Sequence, residues 1–194
     1  MRKLAQADLL SLEQYALQRA AIRARLMEHR KLRQLAVGAH CTWSFEDRET
    51  IRYQVQEMLR AERIFEAAGI DDELATYNPL IPDGGNLKAT LLIEYPDPDE
   101  RALRLREVRG IERHCWLRVA GHAAVYAVAD EDLDRETAEK TSAVHFLRWE
   151  LSAPMIAALK GGAALAAGID LPAYQAVVEQ VPEATRRALL ADLD

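Results

Sequence analysis

Cysteine is scarce in this sequence: Cys41 and Cys115 are the two among 194 residues. Two thiols are too few for a disulfide framework, so reduced cysteines and a cytoplasmic location are expected. Long apolar runs are also missing. No stretch approaches the roughly 20 residues of a membrane span, and "MRKLAQADLLSLEQY" places Asp8 and Glu13 where a secretory signal would be unbroken. A basic excess is absent too, with 25 Lys and Arg against 31 Asp and Glu and a net charge of -6. Affinity for phosphate backbones comes from clustered cations, which argues against nucleic acid as a partner.

Cofactor motifs are lacking as well. There is no Cys-x-x-Cys-His, flavin fingerprint, iron-sulfur cysteine set or His-Glu-x-x-His spacing. The pairs His40-Cys41 and His114-Cys115 do not make a zinc set, because neighbours on a strand face opposite sides. Both cysteines read as core thiols. "KGGAALAAG" reads as part of a helix, not as a phosphate loop between strand and helix.

What is present is the balance of a globular protein, 49% apolar and 29% charged. The spacing of Leu9, Leu12, Ala16, Ala20 and Ile22 predicts a helix from Ala7 to Leu35. Alternation predicts one strand over Leu35 to Phe45, then a helix from Asp47 to Ala68 with Ser44 or Asp47 as N-cap and Gly69 as its stop. Further strands are expected at Lys88 to Tyr95, Ile111 to Val119, His122 to Ala129 and Thr141 to Leu151, and a helix from "PDPDE" to Val108. Prolines at 154, 172 and 182 suggest three C-terminal helices. The expected fold is a single α+β domain spanning residues 1–194, with a mainly antiparallel sheet of about five strands packed by helices and a helical C-terminal part.

One loop carries more polar chemistry than a connector needs. "NPLIPDGGNLKAT" holds Asn78, Asp83, Asn86 and Lys88 between two prolines and two glycines. In the second helix Glu57 and Arg60 form part of a polar ridge, and Glu62 stands where the apolar period asks for a hydrophobic residue. In the last strand His145 falls on an apolar face, while Arg148 and Glu150 share the other. The structural account of these residues is a solvated helix face, a satisfied core histidine, turn caps at Asp83 and Asn86, and Lys88 guarding an edge strand. The functional account is one polar pocket for a small, anionic molecule. In it Glu57 or Glu62 is the acid or base, His145 a proton shuttle, and Arg60, Asn78, Asp83, Asn86, Lys88 and Arg148 bind the ligand. A lower-ranked variant places iron or manganese on His145, Glu57 and Glu62.

The blocks "YNPLIPDGGNLKAT", "FEDRETIRYQVQEMLRAERIFE" and "ADEDLDRETAEKTSAVHFLRWEL" resemble the bacterial family catalogued as domain of unknown function 3501, over essentially the whole chain. That family carries no established activity or catalytic residues. Its members are often neighbours of rubrerythrin-like and iron-sulfur electron-transfer proteins, so the resemblance implies a link to peroxide handling or redox metabolism, with any redox centre in a partner. The alternative to a ligand pocket is therefore a non-catalytic module that docks on such a partner through the N-terminal helix and the acidic "DEDLDRETAE" segment.

Overall fold

The computed structural model of the chain describes residues 2–131 and 140–194. The first half runs α1 (Leu12–Lys31), β1 (Gln34–Ala36), β2 (Cys41–Phe45), α2 (Arg48–Glu62), α3 (Ala67–Tyr77), β3 (Asn86–Ile93) and α4 (Pro98–Glu107). The second half runs β4 (Cys115–Val119), β5 (Val125–Tyr126), β6 (Val128–Ala129), β7 (Val144–Glu150), α5 (Ala153–Lys160), β8 (Leu165–Leu171), β9 (Tyr174–Val178) and α6 (Glu183–Leu190). The fold is α+β, and among the described residues its strands form two antiparallel sheets, β1-β2-β3-β7-β6 and β5-β4-β8-β9. No described helix is long and apolar enough to cross a membrane.

Alternation explains how the sheets meet. Cys41, Trp43 and Phe45 of β2, Leu87, Ala89, Leu91 and Ile93 of β3, and Leu147 and Trp149 of β7 join one buried cluster. Cys115, Leu117 and Val119 of β4 and Leu165, Ala167 and Ile169 of β8 complete it from the other sheet. At its centre the rings of Trp43 and Trp149 lie 4.9 Å apart, each contributing about 1.5–3 kcal/mol through burial. A second cluster, with Ile51, Val55, Leu59, Leu74 and Ile81, packs α2 and α3 into a helical layer.

Several sequence expectations are corrected. The stretch 35–45 is a hairpin and not one strand, because Gly38 takes φ 79° and reverses the chain. Asp47 does cap α2, accepting from the backbone of Glu49 at 3.0 Å and Thr50 at 2.9 Å. That helix ends at Glu62, with Arg63 left-handed at φ 58°, and α3 continues past Gly69. The first helix starts at Leu12, behind a short 3-10 turn at Gln6–Asp8. Another 3-10 turn, Ile111–His114, occupies the start of the strand expected from Ile111. The strand expected at 122–129 divides into β5 and β6, which join different sheets.

The largest correction is at the C-terminus. Gly162 at φ 96° follows the end of α5, and "LAAGIDL" with "YQAVV" forms the β8–β9 hairpin where helices were expected. Gly168 is required there by a distant residue: a Cβ on it would lie 2.3 Å from the Trp116 ring of β4. These extra strands are why the sheet count exceeds the single five-stranded sheet expected. Residues 132–139 of the acidic segment lie outside the described residues.

The C-terminus fastens the loop that precedes β3. Leu193 bridges Gly84, and the Asp194 amide donates to the Gly84 carbonyl at 2.9 Å. Buried Arg33 donates to the carbonyls of Phe45 and Glu46, each at 3.1 Å, and pairs with buried Asp192. The end of β2, and Glu46 with it, is thereby held in place.

Candidate functional site

The expected site residues fall into three separate neighbourhoods. The first is the contact between α1 and α2. Glu57 accepts from Arg19 through two hydrogen bonds of 2.7 Å and from the Tyr15 hydroxyl at 2.6 Å, while Arg60 reaches it at 3.4 Å. The Arg19 hydrogen bonds are the main reason its carboxyl is held down, to about 2. Tyr15 and Arg19 on α1 thus clamp that helix to Glu57 on α2, with Arg60 reaching Glu57 from within α2. Glu62 is exposed at the end of α2.

The second neighbourhood lies inside the sandwich. His145 is fully buried, with Nδ1 at 2.6 Å from Asp130 and Nε2 at 2.9 Å from the Thr141 hydroxyl and 3.0 Å from the Ser142 carbonyl. Glu112 stands 4.0 Å from the same ring, and one of its buried oxygens has no hydrogen-bond partner. This answers the satisfied-core reading of His145 and removes it from Glu57. The iron or manganese set of His145, Glu57 and Glu62 is not assembled, and no group of three or more metal-ligating side chains suited to a metal occurs among the described residues. Cys41 and Cys115 are buried too, and desolvation raises both thiols, Cys41 to about 11.

The third neighbourhood is the outer face of the five-stranded sheet, and here the loop and the last strand do meet. Lys88 and Arg148 are direct cross-strand partners on β3 and β7. They stand on the floor of a pocket of about 440 Å³ roofed by Tyr77, Pro79 and Leu80, with Phe146 beside them and Glu46 at the end of β2. β3 is central in its sheet, so Lys88 does not guard an edge. Its Nζ donates to the Pro79 carbonyl at 2.5 Å. Arg148 pairs with Glu131 through bonds of 2.7 and 2.8 Å and also with Glu150.

The remaining loop residues build the wall without facing the pocket. Asn78 exchanges two hydrogen bonds with the Leu4 backbone, at 2.8 and 2.9 Å, and docks the N-terminal segment. Asp83 accepts from the Gly85 amide at 3.1 Å, Asn86 accepts from the Asp83 amide at 3.3 Å, and Asn86 donates to Glu150 at 2.9 Å. Lys3 donates to the carbonyls of Asn78 and Ile81 at 2.9 and 2.7 Å. Burial holds the Lys88 ammonium below its usual range, with Arg148 acting in the same direction and Asp83, Glu131 and Glu150 against it.

Sequence reasoning missed Tyr77, Leu80, Phe146 and Glu46. Phe146 was legible, since alternation puts it on the face of Arg148. Tyr77 precedes the quoted loop and Leu80 lies within it, and their placement depends on α3, which was not foreseen. A larger cavity of about 550 Å³ separates α1 from α2. Several of its polar side chains are already engaged: Arg52 pairs with Glu49, His29 with Asp47, and Gln56 with the Leu10 backbone. The smaller pocket sets two cross-strand cations, Lys88 and Arg148, against an aromatic wall, the combination that orients a small ligand.

Comparison with known proteins agrees with the resemblance read from the sequence. A solved structure of a novel protein of unknown function from Burkholderia pseudomallei K96243 is 49% identical, covers 100% of both chains and superposes with a TM-score of 0.95. No curated protein matches. The family described as "Protein of unknown function (DUF3501)" matches residues 3–193, and the chain belongs to that family.

Proposed function

We propose that this protein binds a small amphipathic molecule in the pocket between α3, the 78–86 loop and the outer faces of β3 and β7. The observation that carries this reading is the cross-strand pair Lys88 and Arg148 under the apolar roof of Tyr77 and Leu80. An anionic head would meet the two cations, and an aromatic or branched body would lie against Phe146 and Tyr77. Arg148 uses three of its five donors on Glu131 and Glu150, so donors remain for a ligand. The cytoplasm is the compartment we assign, on the reduced thiols. A link to peroxide or iron-sulfur metabolism would enter through a partner, and a concave pocket with an aromatic wall favours ligand binding over a purely docking role.

A thermal-shift screen of small aromatic and branched carboxylates, beginning with benzoate, tests the reading, because a ligand of the native state raises the melting temperature. The expected hit loses about 1.5–3 kcal/mol of affinity in Lys88→Ala, as for a charge-assisted hydrogen bond. A hit that binds Lys88→Ala and Phe146→Ala as tightly as wild type would place its site elsewhere.

A further inference from the structure

The charges around Lys88 are unevenly shared. Arg148, its cross-strand neighbour, takes both Glu131 and Glu150. Glu46 spends a carboxylate oxygen on the Thr90 hydroxyl at 2.6 Å. Asp83, in the loop, accepts from the Gly85 amide. Lys3, from the N-terminal segment, adds a further positive charge nearby, and Lys88 helps burial hold the Lys3 ammonium below its usual range. Tyr77 is the remaining titratable group on the pocket lining. Lys88 itself has no carboxylate in ion-pair contact among the described residues; its partner is the Pro79 carbonyl. Asp83, Glu131 and Glu150 oppose burial and Arg148 without cancelling them, so a half-buried ammonium whose hydrogen-bond acceptor is a neutral carbonyl is biased toward the neutral amine, and a neutral lysine amine is a nucleophile.

We propose that Lys88 is a nucleophilic lysine that forms an imine with a small aldehyde or ketone entering this pocket. The inference rests on the ligand-pocket reading above and names the ligand's reactive group. The Lys88 nitrogen lone pair attacks the carbonyl carbon, a C–N bond forms, and the carbonyl π pair moves to oxygen, which takes a proton. The resulting carbinolamine loses the nitrogen-bound proton and expels its hydroxyl, after protonation, as water. The balance is amine plus carbonyl giving imine plus water, with no oxidant or reductant. Glu46 is the proton carrier for both transfers: it lines the same pocket, and its backbone amide donates to the Lys88 carbonyl at 2.8 Å, which fixes it beside the lysine. A carboxylate ligand has the opposite effect. It supplies a counter-charge in direct contact and keeps Lys88 protonated and unreactive.

Benzaldehyde and benzoate share a ring and differ in that one group, so they separate the two readings. The purified full chain is treated briefly with benzaldehyde and sodium cyanoborohydride near neutral pH, and benzyl groups are mapped by peptide mass spectrometry. The chain has five lysines, at positions 3, 31, 88, 140 and 160, so each is assigned unambiguously. We expect Lys88 to be benzylated on the order of ten times faster than the exposed Lys31 and Lys160. Benzoate should protect Lys88 and leave those two unchanged. Arg148→Met, which removes the neighbouring cation and releases two carboxylates, should move half-maximal Lys88 labelling to higher pH. If Lys88 is labelled no faster than Lys31 and Lys160 while benzoate still binds, the nucleophilic lysine is wrong and the pocket stands. If benzoate neither binds nor protects and no lysine is favoured, both fall.

Discussion

On β7, His145, Leu147 and Trp149 point into the sandwich, while Phe146 and Arg148, each one residue away, point toward α3 and the proline-rich loop. β3 divides in the same way, with Leu87, Ala89 and Leu91 inside and Lys88 outside. The two faces share one set of ladder hydrogen bonds and carry charge very differently. Inside, His145 has partners on both ring nitrogens and a second carboxylate, Glu112, close by. Outside, Lys88 has a carbonyl, and its neighbour holds the carboxylates. A buried polar ring with partners on both nitrogens fixes a fold, whereas a side chain left short of partners is available to a ligand.

The comparison is broken most forcefully from the inside. Trp149→Ala removes the ring packed on Trp43 and Phe45 and should cost about 3–5 kcal/mol in urea unfolding. Close behind is His145→Leu, which leaves Asp130 and Glu112 without the ring between them and should cost about 3 kcal/mol. If either change were neutral, the inner face would not be the structural one.

A smaller effect is expected at the helical clamp. Glu57 stays ionised down to about pH 2 in the folded chain, against 4.5 for an ordinary glutamate. Its contribution to stability is therefore complete above pH 4.5 and is lost as the pH falls from there toward 2. Glu57→Gln should cost about 1 kcal/mol at pH 7, since Arg19 is partly solvent-screened. Urea midpoints at pH 7 and pH 3 should differ less in the mutant than in wild type. The same loss at both pH values would show that Glu57 acts by packing and not by charge.

How far the sequence reveals this contrast follows from the range of the interactions. Asp47 as N-cap, the α4 start at Pro98 and the alternation of β3 and β7 are local signals and were readable. The β8–β9 hairpin was not, because Ala-rich "AALAAG" reads as helix until Trp116, far back in the sequence, requires a glycine beneath its ring. Leu165, Ala167 and Ile169 do alternate, a weak signal that the alanines masked. Lys88 and Arg148 were each legible as polar positions on strands. Their pairing depends on the β3–β7 register, and the separation of Glu57 from His145 depends on which layer each element joins. Neither is written in local spacing.

The smallest stability effect belongs to the residue with the largest functional one. Lys88→Ala should shift unfolding by about 0.5 kcal/mol. Calorimetric titration of benzoate into wild type, Lys88→Ala, Phe146→Ala and Glu57→Gln tests the outer-face pocket most directly. We predict that Lys88→Ala weakens binding about ten- to a hundredfold and Phe146→Ala about tenfold, while Glu57→Gln, on the α1–α2 clamp, binds as wild type does. Equal affinity across all four proteins, or a loss in Glu57→Gln alone, would contradict a ligand site on the outer face of β3 and β7.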